Sequence, residues 1–318
     1  MTRRLLLSAT VLLVVVLGSL ALGAGGIEGM RDAGILDSRI SRTVVGLVVG
    51  AAVGVAGAAL QGVTRNPLAD PGLLGINAGA ALAVVLGIQL LGLSSPREYV
   101  WVALLGALGA AGLVYGIAAS GPGGPRPLTL ALAGAAVAAL VSSVTAGLLI
   151  ADTEALDTFR FWQVGSVAGR DASVLYAVFP LLVPGLLVTL LAGRSLDTLS
   201  LGDELARGLG QRIQLTRFLV VLGAVAISAA ATAIAGPIAF VGLVVPHLVR
   251  LLVGAPASTV LLVGSAVGGG TLLVLADTVG RVVAPPTEIQ AGIITALLGA
   301  PALLLLVRRS RVTVGGLT

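Results

Sequence analysis

Ten runs of mostly apolar residues, separated by short polar breaks, occupy nearly the whole chain. They lie at 5–24, 43–63, 73–93, 99–119, 128–150, 173–192, 215–235, 238–253, 258–276 and 290–307. A helix needs about 20 such residues to cross a bilayer, and within lipid it satisfies its own backbone groups. The pattern predicts an all-α polytopic membrane protein of about ten transmembrane helices. Spans and short loops use up residues 1–318, which makes a single transmembrane domain with no room for a soluble one. The first run follows Arg3 and Arg4 as a secretory leader would. Its 20-residue core exceeds the roughly 7 to 15 apolar residues of a cleaved leader, so it is read as a retained span.

An even number of spans returns both termini to one side of the membrane. Assigning the connections alternately gives that side 12 of the 19 arginines, including Arg3, Arg4, Arg65, Arg126, Arg194, Arg207, Arg212, Arg217, Arg250, Arg308, Arg309 and Arg311, against 7 opposite. Short cytoplasmic loops are enriched in basic residues, so both termini are expected in the cytoplasm of a bacterial cell. Ten of the 14 acids fall on the other face.

Composition narrows the chemistry. Only 10% of residues are charged and 57% are hydrophobic, with a mean hydropathy of +1.09, whereas about a quarter of a soluble domain is charged. Every basic residue other than His247 is arginine. A phosphate-binding Walker A loop needs a lysine to reach the phosphates, so this chain is not its own nucleotide-driven motor. With no cysteine and one histidine it has no disulfide framework, no thiolate site and no metal cage of its own. The pI near 10.9 could suggest nucleic acid, but the arginines are scattered singly rather than gathered on a face. Small residues at helical spacing, as in Gly50, Gly54, Gly57 and Ala58, let helices approach closely in lipid.

The stretch QGVTRNPLADPG at 61–72 interrupts this apolar pattern. Pro67 ends the second helix near Gly62 and disfavours a helical Asn66. Asp70 and Pro71 read as N-cap and first-turn proline, starting the third helix at once. The segment is a tight hairpin whose polar groups are suited to satisfying freed backbone groups at membrane depth.

GAALQGVTRNPLADPGLLGINAGAAL resembles the signature of the FecCD-type permeases, the membrane subunits of ABC importers for iron-siderophores, haem and cobalamin. The likeness runs over nearly the whole chain: RISR at 39–42, FWQVGS at 161–166, LGDELARGLG at 201–210, GPIAFVGLVVPHLVR at 236–250 and ADTVGRVVAPPTEIQAGIITALLGAP at 276–301 follow in family order. Ser41 and Gln290 stand where the family usually has proline. The resemblance implies the type II ABC importer permease fold. Two permease subunits, identical or paralogous, would enclose a central path, with two ATPase subunits inside and a substrate-binding protein outside. ATP and Mg would be used by the ATPase, and this chain would bind no cofactor and catalyse no reaction.

The same resemblance assigns roles. Asn66 and Leu68 would form the cytoplasmic gate. Leu201, Gly202, Asp203, Glu204, Ala206, Gly208 and Gly210 would couple to the ATPase as short helices, with Asp203 and Glu204 suited to a helix N-terminus. Arg39, Arg42 and Arg281 would receive acidic side chains of the binding protein, since a guanidinium fork suits a carboxylate. His247 and Asp277 are intramembrane ionisable candidates that leave a proton-coupled secondary transporter as the alternative. Neither shows an obvious charged partner within its own apolar run, and both are read as helix-end caps. An intramembrane serine hydrolase would need a G-x-S-x-G elbow before a helix, which is missing here.

Overall fold

Each predicted run becomes the body of a helix in the computed structural model, which describes residues 2–22, 33–121, 125–254, 256–284 and 287–314. In chain order the helices are α1 (Thr2–Ala21), α2 (Ala33–Thr64), α3 (Ile76–Leu91), α4 (Pro96–Ser120), α5 (Pro127–Ala151), α6 (Thr153–Gln163) and α7 (Val174–Leu191). There follow α8 (Gly193–Ser200), α9 (Asp203–Gly208), α10 (Ile213–Ala235), α11 (Val241–Val253), α12 (Ser258–Val283) and α13 (Ala291–Val314). No strand occurs among the described residues. Six helices, α2, α4, α5, α7, α10 and α12, are long and apolar enough to cross a membrane, and α1, α3, α11 and α13 carry shorter apolar stretches. Residues 23–24, the tail of the first predicted run, lie outside the described residues.

Local chemistry sets the helix starts. Before α4, the Ser94 and Ser95 amides donate to the Glu98 carboxylate at 2.9 and 3.0 Å, and Pro96 occupies the first turn, where no amide is missed. Asp152 opens α6 by accepting from the amides of Glu154 and Ala155.

The core is built around α2 and α10, the two most buried long helices. α2 packs chiefly on α12 and α10. A Cβ at Gly50, Gly54 or Gly57 would strike the backbone of Gly269, Ser265 or Gly242 respectively, so these glycines form a close backbone seam with α12 and α11.

One expectation fails locally. The third helix does not start at Pro71. Asp70 instead accepts from the Gly72 amide at 2.8 Å and caps a 3-10 turn, Pro71–Leu74, which ends at Gly75 with φ of 74°. That left-handed glycine breaks the chain direction, and α3 begins one residue later. The second helix also runs on to Thr64 rather than stopping near Gly62. Burial holds the Asp70 carboxyl above the usual carboxylate range.

The connections sort into two ends, as alternating helices require. At one, Arg65 meets Asp203, and the Ser258 amide donates to Asp197 at 2.7 Å. At the other, Arg42 meets Asp277 and Glu288.

Candidate functional site

At the Asp203 end, Arg65 leaves α2 with φ of 51°, a left-handed conformation uncommon for a residue with a side chain. The Leu68 amide then donates to Asn66 Oδ1 at 2.9 Å, and the Asn66 amide to Thr64 Oγ1 at 3.3 Å. Asn66 therefore spends its side chain holding the turn, while Leu68 is left 47% exposed at its tip. Gln61, one turn earlier, is buried. Its Nε2 donates to the carbonyls of Gly242 and Leu243 at 3.3 and 3.4 Å, and its Oε1 accepts from Arg250 at 2.7 Å. Pro246 lacks the amide that would otherwise satisfy Gly242 four residues earlier, and Gln61 supplies that donor.

The hairpin is tied to the segment 201–210. Asp203, with Glu204 in the first turn of α9, accepts from Arg65 at 2.5 Å and from Arg217 of α10 at 2.9 and 3.1 Å. Gly202 and Gly210 bracket the helix with φ of 106° and 78°. Ala206 is fully buried, and α9 is seated on the bundle through it. The opposite face shows Leu201, Leu205 and Leu209, spaced by four residues and 57%, 62% and 67% exposed. A Cβ at Gly208 would meet open space.

The Asp277 end differs from expectation. Arg42 donates to both Asp277 oxygens at 2.7 to 2.9 Å and to Glu288 at 2.7 Å. Arg281 lies 3.2 Å from Asp277 one turn along the same helix, and donates to the Ser19 carbonyl and hydroxyl at 3.1 and 2.7 Å and to the Leu22 carbonyl at 3.3 Å. Arg39 reaches the carbonyls of Leu20 and Ala21 at 3.0 and 3.2 Å. The last carbonyls of a helix have no partner within it, and its C-terminal dipole end favours a cation. Arg39 and Arg281 meet both needs for α1. The three arginines assigned to docking are thus turned inward within this subunit. Asp277, read as lacking a charged partner within its own apolar run, meets Arg281 one turn along α12 and Arg42 from α2.

His247 Nδ1 lies 2.8 Å from the Leu243 carbonyl of its own helix. Among the described residues no group of three or more His, Cys, Asp or Glu side chains is placed to hold a metal. The residues that sequence reasoning missed are the partners: Arg217 for Asp203, Arg250 for Gln61, and Ser19 for Arg281. Nothing local marks them, because each pairing except that of Arg217 spans more than 150 positions.

The bundle of apolar helices thus carries a short-helix platform at one end and an ion-pair network at the other. Residues 6–309 match the FecCD transport family, and the chain belongs to it. It is 44% identical over 276 residues to the ferric enterobactin transport system permease protein FepD of Escherichia coli (strain K12), covering 86% of this chain and 82% of that protein. It is 42% identical over 274 residues to the cobalamin import system permease protein BtuC of Halobacterium salinarum, covering 85% and 72%. A solved chain described as an inward-facing metal-chelate type ABC transporter superposes with a TM-score of 0.86 at 30% identity, covering 96% of this chain and 99% of that one.

Proposed function

We propose that this chain is the permease subunit of an ABC importer that carries an iron-siderophore or a similar metal chelate, such as haem or cobalamin. The carrying observation is the α8–α9 platform, whose exposed leucines are joined through Asp203 to the Arg65–Leu68 hairpin. A separate ATPase docks on Leu201, Leu205 and Leu209, uses ATP and Mg, and moves the platform. The hairpin, with Asn66 fixing the turn and Leu68 at its tip, closes the path against the same hairpin of a second copy or a paralogue. The Asp203 end and both termini face the cytoplasm. The binding protein meets the Asp277 end, where Arg39, Arg42 and Arg281 shape the surface from beneath.

Asp277 is engaged by Arg42 and Arg281, which leaves it poorly suited to the proton relay of a secondary transporter. The test is uptake of a radioiron chelate into proteoliposomes holding this chain with its ATPase and binding protein. Uptake should require ATP and stop when the Walker lysine of the ATPase is replaced. Uptake driven by a proton gradient without the ATPase would overturn the reading.

A further inference from the structure

A cleft of about 580 Å³ opens at the Asp277 end, bordered by the start of α4, by α6, by the loop 164–173 and by residues 288–290. Pockets for small ligands typically fall between about 300 and 1,000 Å³, whereas one acidic side chain would fill little of this space.

Its polar lining is unbalanced. Arg170 Nε and Nη1, Tyr99 Oη and Trp162 Nε1 are buried without a hydrogen-bond partner among the described residues, as is the acceptor Gln290 Oε1. Four unmet donor atoms therefore face one unmet acceptor. The other charges bordering the cleft are engaged elsewhere: Glu288 with Arg42 at 2.7 Å, Arg42 also with Asp277, and Asp157 with Arg160 at 3.1 Å. Asp171, next to Arg170 in the chain, lies 3.6 Å from Arg97 and accepts from the Ser173 amide. Burial lowers the Arg170 pKa to about 10, so its side chain remains cationic at neutral pH. A buried cation and buried donors left unmet are costly, and an incoming oxyanion removes that cost.

We propose that this cleft is a binding site for an anionic, oxygen-rich metal chelate, with Arg170, Tyr99 and Trp162 donating to its carboxylate or comparable oxygens. The proposal rests on the importer reading above. The cationic Arg170 favours an anion over a neutral chelate, and the excess of donors favours oxygen acceptors. The site holds a chelate delivered to the permease before it enters the path.

The probe is ferric citrate, titrated against the fluorescence of Trp162 in nanodisc-embedded permease carrying Trp101→Phe, with no binding protein present. Saturable quenching is expected, weakened about ten-fold or more by Arg170→Gln, as loss of a charge-assisted hydrogen bond implies, and largely restored by Arg170→Lys. A neutral ferric trihydroxamate should show no such dependence. Equal ferric citrate affinity with and without the Arg170 guanidinium, or no saturable quenching at all, overturns the proposal. If Arg170→Gln instead weakens capture of the binding protein while leaving the ferric citrate titration unchanged, the oxyanion comes from that protein and the chelate site is wrong. ATP-driven iron uptake by the same variants, reconstituted in proteoliposomes with the ATPase and the binding protein, tells failure of the cleft from failure of the importer reading.

Discussion

Asp277 and Asp203 each bridge two arginines, yet in opposite surroundings. The Asp277 side chain is 3% exposed and shares Arg42 and Arg281, while the Asp203 side chain is 30% exposed and shares Arg65 and Arg217. The same three-charge motif has different consequences in the two places. Buried charges cannot fall back on water, so each needs the others and the arrangement has one state. Arg65 and Asp203 are partly exposed and screened, so their pair is rehydrated at little cost when broken, while Arg217, 12% exposed, keeps Asp203 tied to α10. The Asp277 cluster is suited to holding α1, α2 and α12 together, and the Asp203 cluster to being made and remade in the platform movement proposed above.

The largest expected effect breaks the buried side of this comparison. Asp277→Ala leaves Arg42 and Arg281 without their shared acid and should destabilise the subunit by about 3–5 kcal/mol, the cost of stripping a buried pair. Thermal unfolding in nanodiscs measures it, and a loss under about 1 kcal/mol would mean water reaches the cluster. Arg42→Glu sets a third acid beside Asp277 and Glu288, so lower stability should precede any change in binding-protein docking.

The platform comes next. Leu205→Ala should weaken ATPase binding by roughly 1.5–3 kcal/mol, the value of one buried leucine, with unfolding of the isolated permease unchanged because that side chain is exposed within it. A Cβ at Gly208 meets open space, and Gly208→Trp should lower ATPase recovery on co-purification with an intact fold. Normal recovery and turnover with either variant would place the docking face elsewhere.

The smallest effect on stability belongs to Arg65→Ala, at about 0–1 kcal/mol for an exposed pair. Its signature should be functional. In the cysteine-free chain, Leu68→Cys should crosslink between subunits in the closed state and less when nucleotide opens the inner mouth. Adding Arg65→Ala should blunt that nucleotide response. An undiminished response would assign the coupling to Arg217 alone, and no crosslink in any state would return the hairpin to an ordinary turn.

The ten apolar helices, their order, the acidic first turn of α9 and the hairpin between Pro67 and Pro71 were all legible in the sequence. Run length, proline, glycine and capping side chains act within a few residues of one another, so a single chain displays them. The family was legible too, through blocks such as LGDELARGLG. It took the packed helices to show that Arg42 turns inward to Asp277, 235 positions away, that Arg39 and Arg281 close the end of α1, and that Arg65 reaches across 138 positions to Asp203. An arginine at a helix end looks the same in sequence whether it faces solvent or a carboxylate brought to it by packing. Its partner is selected by where the helices cross, and at α2 that crossing is set by the backbone contacts of Gly50, Gly54 and Gly57 with α12 and α11.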